Sequence, residues 1–208
     1  MRQRVRLTFQ KRGPLRFISH HDVMRTIERV LRRTGLPLQF SAGYNPRPKI
    51  SFPAALGVGI ASNGEVCEFE LSDWTAPAEI ERRVAAQMPE GMEVAAMEVI
   101  GPRENGTAAR AMYTVEMPGG GLPDAAQVDA LLAAEEAFIT RRRGDKEKRI
   151  NVRPFVARLK RREDALAMTI RTSPAGSVRP EEVLRAMGVD EETIKTGARI
   201  TRDKVVLQ

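Results

Sequence analysis

The chain has one cysteine, Cys67, and two histidines, His20 and His21, in 208 residues. A single cysteine excludes an internal disulfide and an iron–sulfur cluster carried by this chain alone, which needs several thiolates. Two adjacent histidines without a cysteine partner leave too few ligands for a structural zinc site. Aromatic residues are scarce, at 5%. No apolar run approaches the roughly 20 residues of a membrane-spanning helix. The opening MRQRVRLTFQ lacks the apolar stretch of a signal peptide. Walker A and dinucleotide glycine patterns are missing, and no Ser–His–Asp grouping recommends a hydrolase triad. The expectation is a soluble protein of a reducing cytoplasm, with no membrane partner and no cofactor bound by this chain.

What the chain does have is positive charge, and it is segregated. The net formal charge is +7. Residues 1–60 hold 12 Lys+Arg against 2 Asp+Glu, residues 61–100 hold 2 against 9, and residues 141–162 hold 11 against 2. Solubility does not require such blocks, so an anion-binding face is expected, and nucleic acid is the commonest polyanion.

Hydrophobic periodicity organises the first hundred residues. Arg2–Phe9 alternates, with Val5, Leu7 and Phe9 on one face, and reads as a half-buried strand. Ser19 and Asp22 have capping-box spacing, so a helix should begin near His20. Its apolar stripe is Val23, Met24, Ile27, Val30 and Leu31, and Gly35 with Pro37 should stop it. Leu38–Ser41 and Lys49–Phe52 look extended. Glu65–Leu71 reads as a strand with Cys67, Phe69 and Leu71 inward and Val66, Glu68 and Glu70 outward. Pro77 suits a first helical position, Ile80, Val84 and Met88 follow at four-residue spacing, and Glu93–Ile100 is a further strand. The order β-α-β-β-α-β predicts a ferredoxin-like α+β sandwich over 1–100.

Residues 101–109 are expected to be a linker, from Gly101-Pro102-Arg103-Glu104-Asn105-Gly106 onward. Residues 110–208 are expected to form a second, ferredoxin-like α+β domain, making the architecture tandem. Its expected elements are a strand at Ala111–Met117, a helix capped by Asp124 with Gln127, and strands at Phe138–Arg143, Ile150–Leu159 and Ala165–Thr172. Then come a helix at Pro180–Met187, an acidic stretch at Asp190–Glu192, and a closing strand at Lys204–Leu207.

Three constellations carry chemistry. Arg25, Arg29, Arg32 and Arg33 recur on one helix face, and guanidinium forks match phosphate oxygens, although a charged helix face is often only solvated. Ser41–Lys49 is a loop stiffened by Pro46 and Pro48, in which Tyr44 can stack on a base while Asn45, Arg47 and Lys49 reach base edges or phosphates. The bland alternative is a turn with Tyr44 packed inward. Arg141–Arg149 reads as a flexible basic loop, and Arg153, Arg158, Lys160, Arg161 and Arg162 extend it along a strand. Lys11, Arg16, Arg141, Arg142, Arg143, Arg149 and Arg153 complete the expected RNA-contacting set. Histidine can act as general acid or base. Successive helical residues point about 100° apart, so His20 and His21 cannot both line one small site. A structural role at the helix start is favoured for them.

The run RFISHHDVMRTIERVLRRTGLPLQFSAGYNPRPKISF resembles the radical SAM-linked protein family, densely over Arg16–Leu56 and more weakly to Leu71. In that family a domain of unknown function is fused to, or encoded beside, a radical S-adenosylmethionine protein. Lys148-Arg149-Ile150-Asn151-Val152-Arg153-Pro154 looks like the family's lysine-to-Arg-Pro segment. Asn151 stands in place of an acidic residue there, and Tyr44 in place of the usual phenylalanine. The resemblance implies a non-catalytic partner that presents substrate to a radical enzyme. With the charge pattern, the expected role is an accessory module binding tRNA or rRNA. A basic tandem ferredoxin-like chain is also similar to the CRISPR-repeat-processing endoribonucleases. That likeness implies a metal-independent nuclease using His20 or His21, with Tyr44 as a further candidate. The third expectation is a protein-interaction domain that docks an acidic partner.

Overall fold

The computed structural model describes residues 2–101, 104, 106–173 and 176–208. It is a mixed α+β structure whose strands pair mostly antiparallel. Two compact units divide between Thr107 and Ala108, with Leu207–Gln208 grouped with the first.

The first unit runs β1 (Gln3–Lys11), α1 (His20–Arg33), β2 (Ile50–Ser51), β3 (Ala61–Leu71), α2 (Pro77–Ala85) and β4 (Met92–Ile100). Its strands lie in the order β4-β1-β3, and the short β2 pairs with β3. Val5, Leu7 and Phe9 of β1 and Cys67, Phe69 and Leu71 of β3 form one sheet face, packed against Val23, Ile27, Val30 and Leu31 of α1 and Ile80 and Val84 of α2. Each such side chain contributes about 1.5–3 kcal/mol by leaving water, against a few tenths for a helical ion pair, so burial fixes the helices in place. Cys67 belongs to this core, where burial pushes its thiol pKa well above the ordinary value.

Three first-unit readings need correction, the first being Val66, expected to face outward but only 6% exposed. Met24 is 39% exposed rather than part of the buried stripe. Glu68 does not face solvent: its carboxylate accepts from Arg4 at 2.8 Å, from Arg6 at 2.9 Å and from the Gly106 N–H at 3.1 Å. With Arg6 Nε donating as well, at 3.0 Å, four donor groups surround a Glu68 that is only 2% exposed.

The second unit contains β5 (Ala108–Glu116), α3 (Ala125–Ala133), β6 (Phe138–Arg143), β7 (Lys146–Asn151), β8 (Val156–Arg161), β9 (Ala165–Arg171), α4 (Pro180–Ala186), α5 (Glu191–Gly197) and β10 (Arg199–Leu207). The strand order is β10-β5-β9-β8, while β6 and β7 form a separate two-stranded sheet. Asp124 and Gln127 cap α3 reciprocally, at 2.8 and 2.9 Å. The continuous strand expected over Ile150–Leu159 is broken by a 3-10 turn at Arg153–Phe155, where Pro154 can donate no ladder hydrogen bond. The acidic stretch is the start of α5, with Asp190 accepting from the Thr193 N–H at 2.8 Å. β5 begins at Ala108, inside the expected linker. Pro102, Arg103 and Asn105 of that linker lie outside the described residues. Among the described residues no helix is long and apolar enough to cross a membrane.

Candidate nucleic-acid interface

α1 is launched by Ser19, whose hydroxyl oxygen accepts from the Asp22 N–H at 3.2 Å. The Ser19 hydroxyl also donates to the Asp22 carboxylate at 2.7 Å. These bonds hold the Asp22 carboxyl below the usual carboxylate range against slight desolvation, with Arg25 and His21 adding to the effect. The cap sets the helical phase and sends the two histidines apart. His20 meets the Phe52 ring edge-on with centroids 5.5 Å apart, whereas the exposed His21 lines a cleft. One histidine packs and the other faces open space, as the 100° step requires.

The cleft has a volume of about 630 Å³ and joins two of the constellations seen in the sequence. One wall is α1, with His21, Arg25, Glu28 and Arg32. The other is the proline loop, with Asn45, Pro46, Arg47 and Pro48, and Met24, Ile50 and Phe52 add an apolar surface. Glu28 pairs with Arg32 at 2.9 Å, and the Arg32 guanidinium also sits 5.4 Å from the centre of the Phe40 ring. Arg25 is 4.0 Å from Asp22. Arg47 forms no ion pair among the described residues. Three arginines therefore line the cleft against the one carboxylate of Glu28, and Glu28 and Phe40 pre-position Arg32.

The loop is stiff for local reasons. The Ser41 N–H donates to the Arg47 carbonyl at 2.8 Å, and the Arg47 N–H donates to the Ser41 hydroxyl oxygen at 3.1 Å. The Lys49 N–H donates to the Gln39 carbonyl at 2.8 Å, which ties the base of the loop. Gly43, at φ 130°, takes a backbone conformation that favours glycine. Tyr44 does not pack inward: it is 99% exposed at the loop tip, next to Asn45 of the cleft wall. Lys49 pairs with Glu70 at 3.4 Å.

The remaining basic residues have mixed fates. Arg29 and Arg33 are exposed on α1 but do not line the cleft. Arg16 is half-buried, with its guanidinium 4.6 Å from the centre of the Phe17 ring. Lys11 is fully buried, and its ammonium donates to the Arg16 carbonyl at 3.3 Å, so it presents no charge at the surface. The expected loop at Arg141–Arg149 is an ordered hairpin, with Arg143 opposite Lys146 across Gly144-Asp145. Arg141 is held by Glu182 at 2.6 Å, and Arg142 by Glu147 at 2.6 Å. Arg149 lies 3.8 Å from the centre of the Phe138 ring. Arg153 donates to the Leu132 carbonyl at 2.9 Å and the Val156 carbonyl at 3.2 Å, which makes it a brace. The Arg143 side chain lies outside the described residues. Asn151 accepts from the Ala137 and Arg153 N–H groups at 3.0 and 3.2 Å, a task an acidic residue performs equally well.

Sequence reasoning missed Glu28, Ile50 and Phe52 as cleft residues, because nothing local shows that the proline loop folds back beside α1. It also missed the hairpin, although Gly-Asp between two polar, strand-length runs is a hairpin signal.

Among solved structures, a chain of a Cbf5-Nop10-Gar1 complex aligns over 95% of this chain and 47% of its own length, at 12% identity and a TM-score of 0.47. A chain of an H/ACA ribonucleoprotein bound to a substrate RNA containing 2′-deoxyuridine aligns over 98% and 47%, at 11% identity and a TM-score of 0.44. This chain thus spans about half the length of each. An unknown protein from Galdieria sulphuraria aligns over 99% of this chain and 100% of its own, at 13% identity and a TM-score of 0.30. No curated protein matches. The model of the family described as "Uncharacterized protein conserved in bacteria (DUF2344)" matches residues 4–180, and the chain belongs to that family.

Proposed function

We propose that the first unit binds RNA through the cleft between α1 and the proline loop, acting as an accessory module rather than as the catalyst. The observation that carries this reading is the cleft itself. Arg25 and Arg32 from the helix and Arg47 and Asn45 from the loop line it, and Tyr44 is exposed beside it; the arginines would hold phosphates, Asn45 would meet a base edge, and the Tyr44 ring would stack. Stacking with backbone neutralisation is how proteins hold unpaired nucleotides. A single-stranded stretch of a structured RNA, such as a tRNA or rRNA loop, fits these groups.

The chemistry then belongs to a partner. The resemblance over Arg16–Leu56 supports a radical S-adenosylmethionine enzyme in that role, to which this protein would deliver a cytoplasmic RNA. Its lone cysteine is consistent with a cluster housed elsewhere. In the first unit β3 lies between β1 and β2, with β4 beyond β1. In the second, β9 lies between β5 and β8, with β10 beyond β5. Those orders support reading both units as ferredoxin-like sandwiches, the β6–β7 hairpin being an insertion in the second.

The test is binding of tRNA and of short oligonucleotides by fluorescence anisotropy across a salt series. Arg25→Glu with Arg47→Glu should abolish binding, and affinity should fall steeply with salt because each phosphate contact releases a counterion. No affinity at low salt sinks the reading. Copurification of an acidic protein without nucleic acid would favour a protein-docking surface instead. His21 in the cleft favours one secondary reading, metal-independent RNA cleavage. Cleavage leaving a cyclic phosphate, lost in His21→Ala and kept in His20→Ala, would support it.

A further inference from the structure

A second basic groove lies within the second unit, on a sheet face. β8 places Arg158 and Lys160 on that face, and Arg162 follows just beyond the strand's end. Arg161, between them in sequence, is spent otherwise, donating to the carbonyls of Pro123 at 3.1 Å and Glu163 at 2.6 Å. Arg158, Lys160 and Arg162 form no ion pair among the described residues. Residues two apart on a strand are about 6.7 Å apart, close to the repeat of successive phosphates on a stretched single strand.

The strand registers continue this ridge into a trough. Arg158 is opposite Thr169, which is opposite Met112; Lys160 is opposite Ala167, which is opposite Thr114. The far rim is Met112, 41% exposed, and Thr114, whose hydroxyl donates to Asp203 at 2.7 Å. Ala167 and Thr169 of β9 lie between Arg158 and Lys160 on one side and Met112 and Thr114 on the other, and Asp203 also lines the groove. The rims are two strand spacings apart, about 10 Å, which is wide enough for a base and its ribose. The groove measures about 370 Å³.

We propose that this groove is a second track for single-stranded RNA, with phosphates on Arg158, Lys160 and Arg162 and bases over Ala167, Thr169 and the polarisable Met112 thioether. The occupant is RNA rather than an acidic peptide for a geometric reason. The cations stand on the face of β8, not along its edge, so an added peptide strand pairing with that edge would not lie across them. A nucleotide strand supplies both a repeating phosphate and flat bases to cover the trough. The site uses no residue of the α1 cleft, and although it extends the RNA reading it can be removed separately.

The test uses the full chain, a labelled oligouridylate and three variants. Arg158→Glu with Lys160→Glu should weaken binding at least tenfold. It should also lower the salt slope by about 0.7 per lost contact on a single strand. Lys160→Gln is the milder version, kept in case the double variant fails to fold. In the unmodified protein, Lys160 should be protected from amine acetylation by the oligonucleotide. Unchanged affinity with unprotected Lys160, while Arg25→Glu with Arg47→Glu still abolishes binding, overturns this proposal and leaves the cleft reading standing. Protection of Lys160 by polyglutamate but not by the oligonucleotide also overturns it. Weakened binding in Lys160→Gln with intact binding in the cleft variant would instead locate RNA in this groove and count against the cleft.

Discussion

Arg141 and Glu182, 41 residues apart, form a two-armed pair: Arg141 Nε and Nη2 donate to the two Glu182 carboxylate oxygens at 2.6 and 2.7 Å. Glu182 also accepts from the Arg179 N–H at 2.8 Å. Burial pushes the Glu182 pKa up, but the Arg141 bonds and the Arg179 N–H outweigh it and hold the group below the ordinary value. The first arginine of the most conspicuous basic run is therefore a clamp between the β6–β7 hairpin and α4.

Arg141→Ala should destabilise the second unit by about 2 kcal/mol, because it leaves a nearly buried carboxylate without its charged donor. The pH dependence has a definite sign. A carboxyl with a depressed folded pKa contributes stability above its unfolded value, and that contribution is lost as pH falls. Thermal melts at neutral pH and near pH 4 should show the gap between wild type and Arg141→Ala narrowing in acid. A variant that melts like wild type at both would contradict the clamp.

Glu79 gives a second acid-sensitive contact, on the first turn of α2. Hydrogen bonds from Arg82, then from Arg83, bring its pKa from 4.5 to about 2. Arg82 donates twice at 2.8 Å and Arg83 once at 2.6 Å. Its contribution is present above about 4.5 and lost as pH falls through about 2. In Glu79→Gln that part of the acid unfolding profile should vanish. Circular dichroism titrations of the two proteins should diverge above pH 4.5 and converge in strong acid.

The readable parts of the fold were those set by neighbours in sequence. Ser19 and Asp22 fixed the start of α1, Val5, Leu7 and Phe9 the inner face of β1, and Asp124 with Gln127 the start of α3. Glu68 was misread because strand alternation reports only the two faces of a strand. Its partners Arg4 and Gly106 lie 64 and 38 residues away. The site divides the same way. The arginine face of α1 and the stiffness of the proline loop were visible in sequence, but their meeting across a cleft depends on β2 pairing with β3. The run from Arg141 to Arg149 hid its pairing because charge dominated its appearance, while Ile139 opposite Ile150 set its register.

A side chain at Gly106 would force its neighbours to shift. A Cβ there would sit 2.6 Å from Glu68 Oε1 and 2.7 Å from Leu207 Cδ1. Its N–H donates to the Glu68 carboxylate beside Arg4 and Arg6. Gly106→Ala should cost about 1–3 kcal/mol, the usual range for overpacking. Glu68→Gln, which keeps the shape but removes the charge facing Arg4 and Arg6, should also destabilise. Urea melts of both variants decide this, and wild-type stability in Gly106→Ala would mean that the residues around Glu68 give way easily.

Tyr44 separates a binding role from a structural one more cleanly than any arginine. At 99% exposure its ring contributes almost no burial to the fold, so Tyr44→Ala should leave stability within about 0.5 kcal/mol of wild type. A base stacked on an aromatic ring is worth about 1–3 kcal/mol, so the same variant should lose roughly tenfold or more in affinity for a short single-stranded oligonucleotide. The salt slope should stay unchanged, because no phosphate contact is removed. Tyr44→Phe should bind like wild type, since the flat ring rather than the hydroxyl does the stacking. Arg47→Ala should differ in the slope, lowering it together with affinity. If Tyr44→Ala binds as tightly as wild type while Arg47→Ala does not, the cleft holds backbone phosphates only, and no base stacks on the Tyr44 ring.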